Sequence, residues 1–274
     1  MFRCGRFEFD LQRPLIMGVV NVTPDSFSDG GQFFSATAAI EHALQLIEAG
    51  ADILDIGGES SRPGAAPVML KEELQRVLPV IEGLTHANVP LSIDTCKPEV
   101  MCAALDAGAS MVNDIWALRQ PGALEAVAER DCGLCLMHMQ RDPQQMQAAP
   151  RYTDVVQEVH DFLRLRVQVV RDHGVAGERI VIDPGFGFGK TLEHNLALLR
   201  QLERFTDLGV PVLAGLSRKS MIAALTGRER PEQRLAGSLS ATLAAVARGA
   251  KIVRVHDVAA TRDALQVWQA VRPE

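Results

Sequence analysis

Ile180-Val181-Ile182-Asp183 sets three β-branched residues ahead of a carboxylate. The branched residues favour a buried, pleated strand, and nothing in its packing calls for the charge at its end. Seven other runs repeat the design. Gly18-Val19-Val20 leads to Asn21, Ile53-Leu54-Asp55-Ile56 to Glu59 and Arg62, Leu91-Ser92-Ile93 to Asp94, and Met111-Val112 to Asn113. Leu134-Cys135-Leu136-Met137 leads to His138, Val212-Leu213-Ala214 to Ser217 and Lys219, and Ile252-Val253 to Arg254 and His256. Helical patterns lie between them: Ile40, Leu44 and Ile47 share one face, Leu70, Leu74, Val77 and Ile81 a second, and Leu192, Leu196 and Leu199 a third. Right-handed crossovers make such strands parallel, and eight repeated units favour closure into a (β/α)8 TIM barrel over an open sheet. Barrels of this kind place their chemistry on the rim where the strands end. The polar strand ends therefore predict one site assembled from the whole chain.

The rest of the sequence fits a single domain over residues 1–274. Its length is close to the roughly 250 residues typical of the fold, and no charge block or low-complexity run marks a linker. Residues 1–13, with Phe7, Phe9 and Leu11 alternating, are expected to add a strand or hairpin that plugs the opposite end of the barrel. Residues 215–227 are expected to form a long loop before a helix of small residues. A net charge of -6 argues against a nucleic-acid partner, which needs a basic surface to displace counterions. No run has the length of a membrane helix and residues 1–20 lack a signal-peptide core, so a cytoplasmic protein without a membrane partner is expected. The five cysteines are scattered, and Cys132-Gly133-Leu134-Cys135 has no second pair to make a zinc site, so packing is their expected role.

Two glycine-rich stretches carry different meanings. Gly185-Phe-Gly-Phe-Gly-Lys190-Thr191 approaches a Walker phosphate loop, but Pro184 stands where its first glycine belongs, and Lys190 replaces the third glycine of a dinucleotide fingerprint. A flexible turn that aims Asp183 at the barrel mouth suits the residues better, with Phe186 or Phe188 laid against a flat ligand. Asn21-Val-Thr-Pro-Asp-Ser-Phe-Ser-Asp-Gly-Gly31 and Gly57-Gly-Glu-Ser-Ser-Arg-Pro-Gly64 lack apolar periodicity and read as rim loops that complete the site when substrate binds.

The strand-end groups describe a ligand with two parts. Asp94, Asn113 and Asp183 suit a flat heterocycle of alternating donors and acceptors, because a carboxylate accepts paired N–H bonds and an amide does both. Arg62, Arg254 and His256 suit an anion, phosphate above all, and Lys219 can bridge the two regions.

Residues 17–31, 55–64, 182–191, 215–220 (Gly-Leu-Ser-Arg-Lys-Ser) and 254–257 (Arg-Val-His-Asp) closely resemble, in order, the signatures of bacterial dihydropteroate synthases. The resemblance implies a pterin-binding barrel, usually a homodimer, that condenses dihydropterin pyrophosphate with p-aminobenzoate to give dihydropteroate and pyrophosphate. By matching motif, Asp94, Asn113, Asp183 and Lys219 would hold the pterin, with Arg254 stacked on it and Met137 and Phe188 lining the slot. Asn21 would help bind Mg²⁺. Arg62, Arg254 and His256 would engage pyrophosphate. Ser61, Arg62, Pro63, Lys219 and Ser220 would form the p-aminobenzoate side, with Phe27 closing over it. Ser61 departs from the family's usual threonine but keeps the hydroxyl. The resemblance and the residue chemistry together place Asp94, Asp183, Lys219, Arg254 and His256 at the reacting centre. Two alternatives share the pterin: a corrinoid-linked methyltransferase, which would not be expected to carry residues 215–220 together with 254–256, and a paralogue that binds without turnover.

Overall fold

A closed barrel of eight parallel strands forms the centre of the computed structural model, which describes residues 1–22, 32–60, 64–142 and 145–271, with the backbone alone for 32–35. An antiparallel hairpin, β1 (Phe2–Cys4) and β2 (Phe7–Phe9), precedes it. The barrel strands are β3 (Leu15–Asn21), β4 (Ile53–Gly57), β5 (Leu91–Asp94), β6 (Met111–Asp114), β7 (Gly133–Met137), β8 (Ile180–Asp183), β9 (Val212–Ala214) and β10 (Ala250–Val255). They pair in chain order, and β10 closes on β3 with Ile252 opposite Leu15. The helices are α1 (Gln32–Glu48), α2 (Leu70–Gly83), α3 (Pro98–Asp106), α4 (Ala123–Ala128), α5 (Val155–Asp172), α6 (Leu192–Arg200), α7 (Ser220–Thr226), α8 (Leu235–Val246) and α9 (Val258–Val271). Among the described residues no helix is long and apolar enough to cross a membrane.

Side chains two apart along a strand share a face, and the apolar residues divide accordingly. Outward positions such as Ile16, Leu54, Ile93, Val112, Leu134, Ile182 and Val253 pack against the helices. Inward positions Met17, Ile53, Met111, Cys135, Val181, Leu213 and Ile252 fill the barrel. The hairpin seals the end where the strands begin, as its alternation predicted, but Phe2 and Cys4 join Leu11 in the buried plug while Phe7 and Phe9 pack at its edge. Phe2 stacks on Phe9 with ring centroids 6.3 Å apart. A Cβ on Gly133 would lie 2.7 Å from Cys4 Cβ and 2.9 Å from a Phe2 ring carbon, so β7 must open on a glycine for the plug to seat.

Two helical expectations need correction. On α1 the buried face is Ala39, Ala43 and Leu46, while Leu44 is exposed. The i, i+4, i+7 series of small residues lets the helix approach the strands closely, and Ile40 and Ile47 flank it. Residues 215–227 do not form one long loop: Ser220–Thr226 is helix α7, with Met221 and Ile222 buried. The cysteines are free thiols, and Cys132 and Cys135 are both buried, consistent with packing.

The plug predicts a stability effect. Phe2 is fully buried, and Phe2→Ala removes its ring from a site walled by strand backbone, so it should cost about 3 to 5 kcal/mol. The check is equilibrium unfolding in urea. A midpoint equal to that of the parent protein would show that the hairpin adds nothing to the barrel.

Candidate active site

The alternation that fills the barrel with apolar side chains also builds its mouth. One step beyond Ile53, Met111, Cys135, Val181 and Ile252 on the inner face come Asp55, Asn113, Met137, Asp183 and Arg254, and Asp94 follows Ser92 in the same way. Arg254 ties the layer together. Its Nε donates to Asp55 Oδ2 at 2.6 Å and its Nη2 to Asp94 Oδ2 at 2.7 Å, while Asn113 Nδ2 donates to the same Asp55 oxygen at 3.0 Å. Burial raises the Asp94 carboxyl, with Arg254 opposing and the charge of Asp55 adding to the rise. Burial works against the Arg254 guanidinium as well, but Asp55 and Asp94 outweigh it and hold the charge. Asp55 Oδ1 and Ser92 Oγ, on residues paired across β4 and β5, are buried with no hydrogen-bond partner among the described residues.

Bare backbone keeps this layer open. A Cβ on Gly57 would lie 3.5 Å from Asp94 Cβ, and one on Gly215 would lie 3.9 Å from both Arg254 Cβ and Asp183 Oδ2. Across the mouth, Asp183 Oδ1 accepts the Gly185 N–H at 2.7 Å. Burial raises the Asp183 carboxyl, and the Gly185 bond, Lys219, Lys190 and Arg254 oppose the rise. Phe188 joins Met137, Met139 and Met146 in an apolar cluster flanked by Ile115 and Trp116. Lys219 Nζ sits 4.3 Å from the centre of the Phe188 ring, within cation–π range. Phe186 instead faces the helix layer.

His256 and Lys219 are set by a second group of contacts. Ser217 Oγ accepts the His256 backbone N–H at 3.2 Å and lies 3.1 Å from His256 Nδ1. Burial, with Arg254 and Arg218 nearby, lowers the His256 imidazole to about 4. Arg218, a non-glycine residue at φ 59°, forms a forked pair with Asp257 at 3.0 and 2.6 Å and has its carbonyl bound by Arg234 at 2.8 Å. These bonds hold the turn that delivers Lys219.

The expected site residues thus fall into three groups. Asp94, Asn113, Met137, Asp183, Phe188, Lys219 and Arg254 meet at the mouth, with His256 just past the end of β10. Ser220 opens α7 and is exposed. Phe27, Ser61, Arg62 and Pro63 lie outside the described residues, as does most of the first expected rim loop. Asp55 and Lys190 were not expected, and Ser217 was expected only as a polar strand end without a role. Asp55 had a signal, because a carboxylate between Leu54 and Ile56 inside a strand must find a partner in the interior. Beside the mouth, a cavity of about 490 Å³ shares Asp94 and is lined by Cys96, Lys97 and Trp116 among others. Lys97 bridges Glu59 and the buried Glu73 along its wall.

Among the described residues no group of three acidic, histidine or cysteine side chains could hold a metal alone. Asn21 continues the inward series of Met17 and Val19 and brings one amide oxygen to the end of β3. A Mg²⁺ that keeps several waters and takes substrate phosphate oxygens needs few protein ligands. Asn21 fits that mode of binding and no other.

Residues 17–256 match the family of pterin binding enzymes. The chain is 52% identical to the dihydropteroate synthase of Neisseria meningitidis serogroup C, over 99% of this chain and 97% of that protein. Among solved structures it is similar to Xanthomonas albilineans dihydropteroate synthase with 4-aminobenzoic acid, at 59% identity and a TM-score of 0.90 over 96% of this chain and 95% of that one. The Burkholderia cenocepacia dihydropteroate synthase complexed with 7,8-dihydropteroate is 54% identical, with a TM-score of 0.90 over 99% and 96% of the two chains.

The Arg254 cluster gives a direct test. Asp55→Asn keeps one oxygen that can accept from Arg254 or Asn113 but removes the charge, leaving Asp94 as the one anion bonded to Arg254, so stability should fall by about 3 kcal/mol. Urea unfolding measures it, and a loss within error would show that the cluster does not hold the mouth.

Proposed function

The chain belongs to the pterin binding enzyme family and is a transferase that joins 7,8-dihydropterin-6-ylmethyl pyrophosphate to p-aminobenzoate, giving 7,8-dihydropteroate and pyrophosphate; we propose how its residues divide that work. The observation that carries the proposal is the meeting of Asp94, Asn113 and Asp183 with Arg254 in one open mouth. The carboxylates and the amide match the donor and acceptor edge of a pterin. Met137 and Phe188 supply the apolar face on which a flat ring lies.

The reaction breaks the bond between the pterin methylene and the pyrophosphate oxygen and forms a carbon–nitrogen bond to the arylamine, whose nitrogen then loses a proton. Positive charge develops on the methylene and spreads into the ring as the leaving group departs. Asp94 and Asp183, fixed and buried at the ring edge, stabilise that charge at no cost in reorganisation. Negative charge gathers on the pyrophosphate, where Arg254 and Lys219 supply cations and Arg62 would add a third. Ser217 Oγ lies 3.1 Å from His256 Nδ1; in the tautomer where that hydroxyl donates, the neutral imidazole would carry its proton on Nε2 and offer it to the same anion. Asn21 would hold Mg²⁺, which when bound offsets charge on the phosphate oxygens. Ser61, Pro63, Phe27 and Ser220 are assigned to the p-aminobenzoate side on motif alone. Assembly as a homodimer is assigned on the family resemblance alone.

Purified protein with the pterin pyrophosphate, p-aminobenzoate and Mg²⁺ should form dihydropteroate, detected by mass spectrometry. Binding of the pterin without product would favour the paralogue that does not turn over. A second outcome concerns Asp183 itself. Asp183→Asn keeps an acceptor for Gly185 but loses the charge, so pterin affinity should fall by about 1.5 to 3 kcal/mol. Unchanged binding in calorimetry would remove Asp183 from the ring edge.

A further inference from the structure

The turn that carries Phe188 closes on a buried lysine. Lys190 is 3% exposed, and its Nζ lies 2.9 Å from the Gly185 carbonyl oxygen, 3.0 Å from that of Phe188, 3.3 Å from that of His138 and 3.0 Å from His138 Nδ1. As an ammonium Lys190 has three protons and cannot accept, so His138 Nδ1 is then the acceptor and the imidazole is neutral; burial brings the Lys190 amine down to about 7, with Asp183 opposing and Lys219 adding to the fall. Burial, with Lys190 and Arg119 nearby, holds the His138 pKa well below its ordinary value, in agreement with that state. Its ring is braced edge-on against Phe162 at 4.9 Å.

The turn has little freedom to choose another path. Gly185, Gly187 and Gly189 have φ of 72°, 82° and 63°, the left-handed region that glycine enters most readily. A Cβ on Gly185 would lie 1.9 Å from the His138 oxygen, and one on Gly189 would lie 2.9 Å from the Gln140 oxygen. The turn is seated on the chain leaving β7, and carbonyls from both sides converge on one ammonium. Carbonyls gathered in this way, away from water, need a shared donor.

We propose that Lys190 is a positioning residue for pterin transfer: its ammonium clamps the 185–189 turn to the end of β7 and so fixes Asp183 and Phe188 where they receive the ring. The link to the site is direct, because Gly185 N–H binds Asp183 Oδ1 and the Phe188 ring supports Lys219. The proposal rests on the dihydropteroate synthase reading and adds a residue that this reading leaves unused. The resemblance to a Walker lysine then has a different cause: the ammonium binds the oxygens of its own loop in place of a phosphate.

The test is steady-state kinetics of Lys190→Met and Lys190→Gln beside the wild type, each substrate varied with the other saturating. Loss of a group that orients the ring should raise KM for the pterin pyrophosphate at least about tenfold in Lys190→Met. The rise should be smaller in Lys190→Gln, whose amide can still serve part of the carbonyl set. KM for p-aminobenzoate should rise less than that for the pterin pyrophosphate in both, because only Lys219, through Phe188, links the turn to the p-aminobenzoate side. A merely structural loss would instead lower kcat through a smaller active fraction and leave both KM values in place. An unchanged pterin KM, or an equal rise for both substrates, overturns the proposal. If Lys190→Met fails to fold, Lys190→Gln carries the comparison. Reductive methylation of the wild type adds a check that needs no variant: Lys190 should be protected, and labelling as fast as that of surface lysines overturns the clamp. A wild type that forms no dihydropteroate would instead refute the reaction assignment and leave the protection of Lys190 as it stands.

Discussion

Arg254 lies between the buried Asp55 and the partly exposed Asp94 on neighbouring strands, and the mouth of the barrel is arranged around that pairing. Asp55 is completely buried, and a carboxylate in such a place is costly unless it is paired. Arg254 supplies a cation to Asp55 and Asp94 together, through two nitrogens of one rigid plane. The gain from such a pairing is largely offset by the loss of hydration, so its worth lies less in net stability than in what happens when one member is removed. The remaining groups are then left charged, buried and unpaired. That constraint keeps Asp94 in a defined place with its second oxygen uncommitted to Arg254, and Asn113 is fixed as a donor toward Asp55 in the same way.

The barrel separates two chemistries along a single axis. At the end where strands begin, Phe2, Cys4 and Leu11 meet Leu15, Ile53 and Met111 in a dry plug. At the end where they finish, the same inward positions carry Asp55, Asn113, Asp183 and Arg254. The plug matters to the mouth because charged groups held at fixed distances need a rigid support beneath them. Around the rim the turns are fixed by buried or half-buried polar contacts of their own: Lys190 under residues 185–189, the Arg218–Asp257 pair under Lys219, and the Lys97–Glu73 contact beside Asp94. The site therefore rests on a surrounding set of charged residues as much as on the strands.

Asp94, Asn113, Asp183 and Arg254 could be read from the sequence because each closes an apolar run, and a period of two leaves few directions for the residue that follows. The eight runs and their spacing also determined the barrel, and the alternation of Phe7, Phe9 and Leu11 pointed to the sealing role of residues 1–13. Tertiary structure decided what periodicity leaves open. The helical stripe offered Leu44 with Ile40 and Ile47 to the barrel, and the closeness of approach put Ala39 and Ala43 there instead of Leu44. The glycines of residues 185–189 suggested flexibility, yet positive φ and the backbone of His138 and Gln140 make that turn fixed. The state of His256 depends on burial and on Arg218 and Arg254. The direction taken by Lys190 depends on the carbonyl and imidazole of His138, which are 52 residues away. Local pattern fixes which face of an element a residue occupies, but a buried charge is governed by partners that only the closed chain brings within reach.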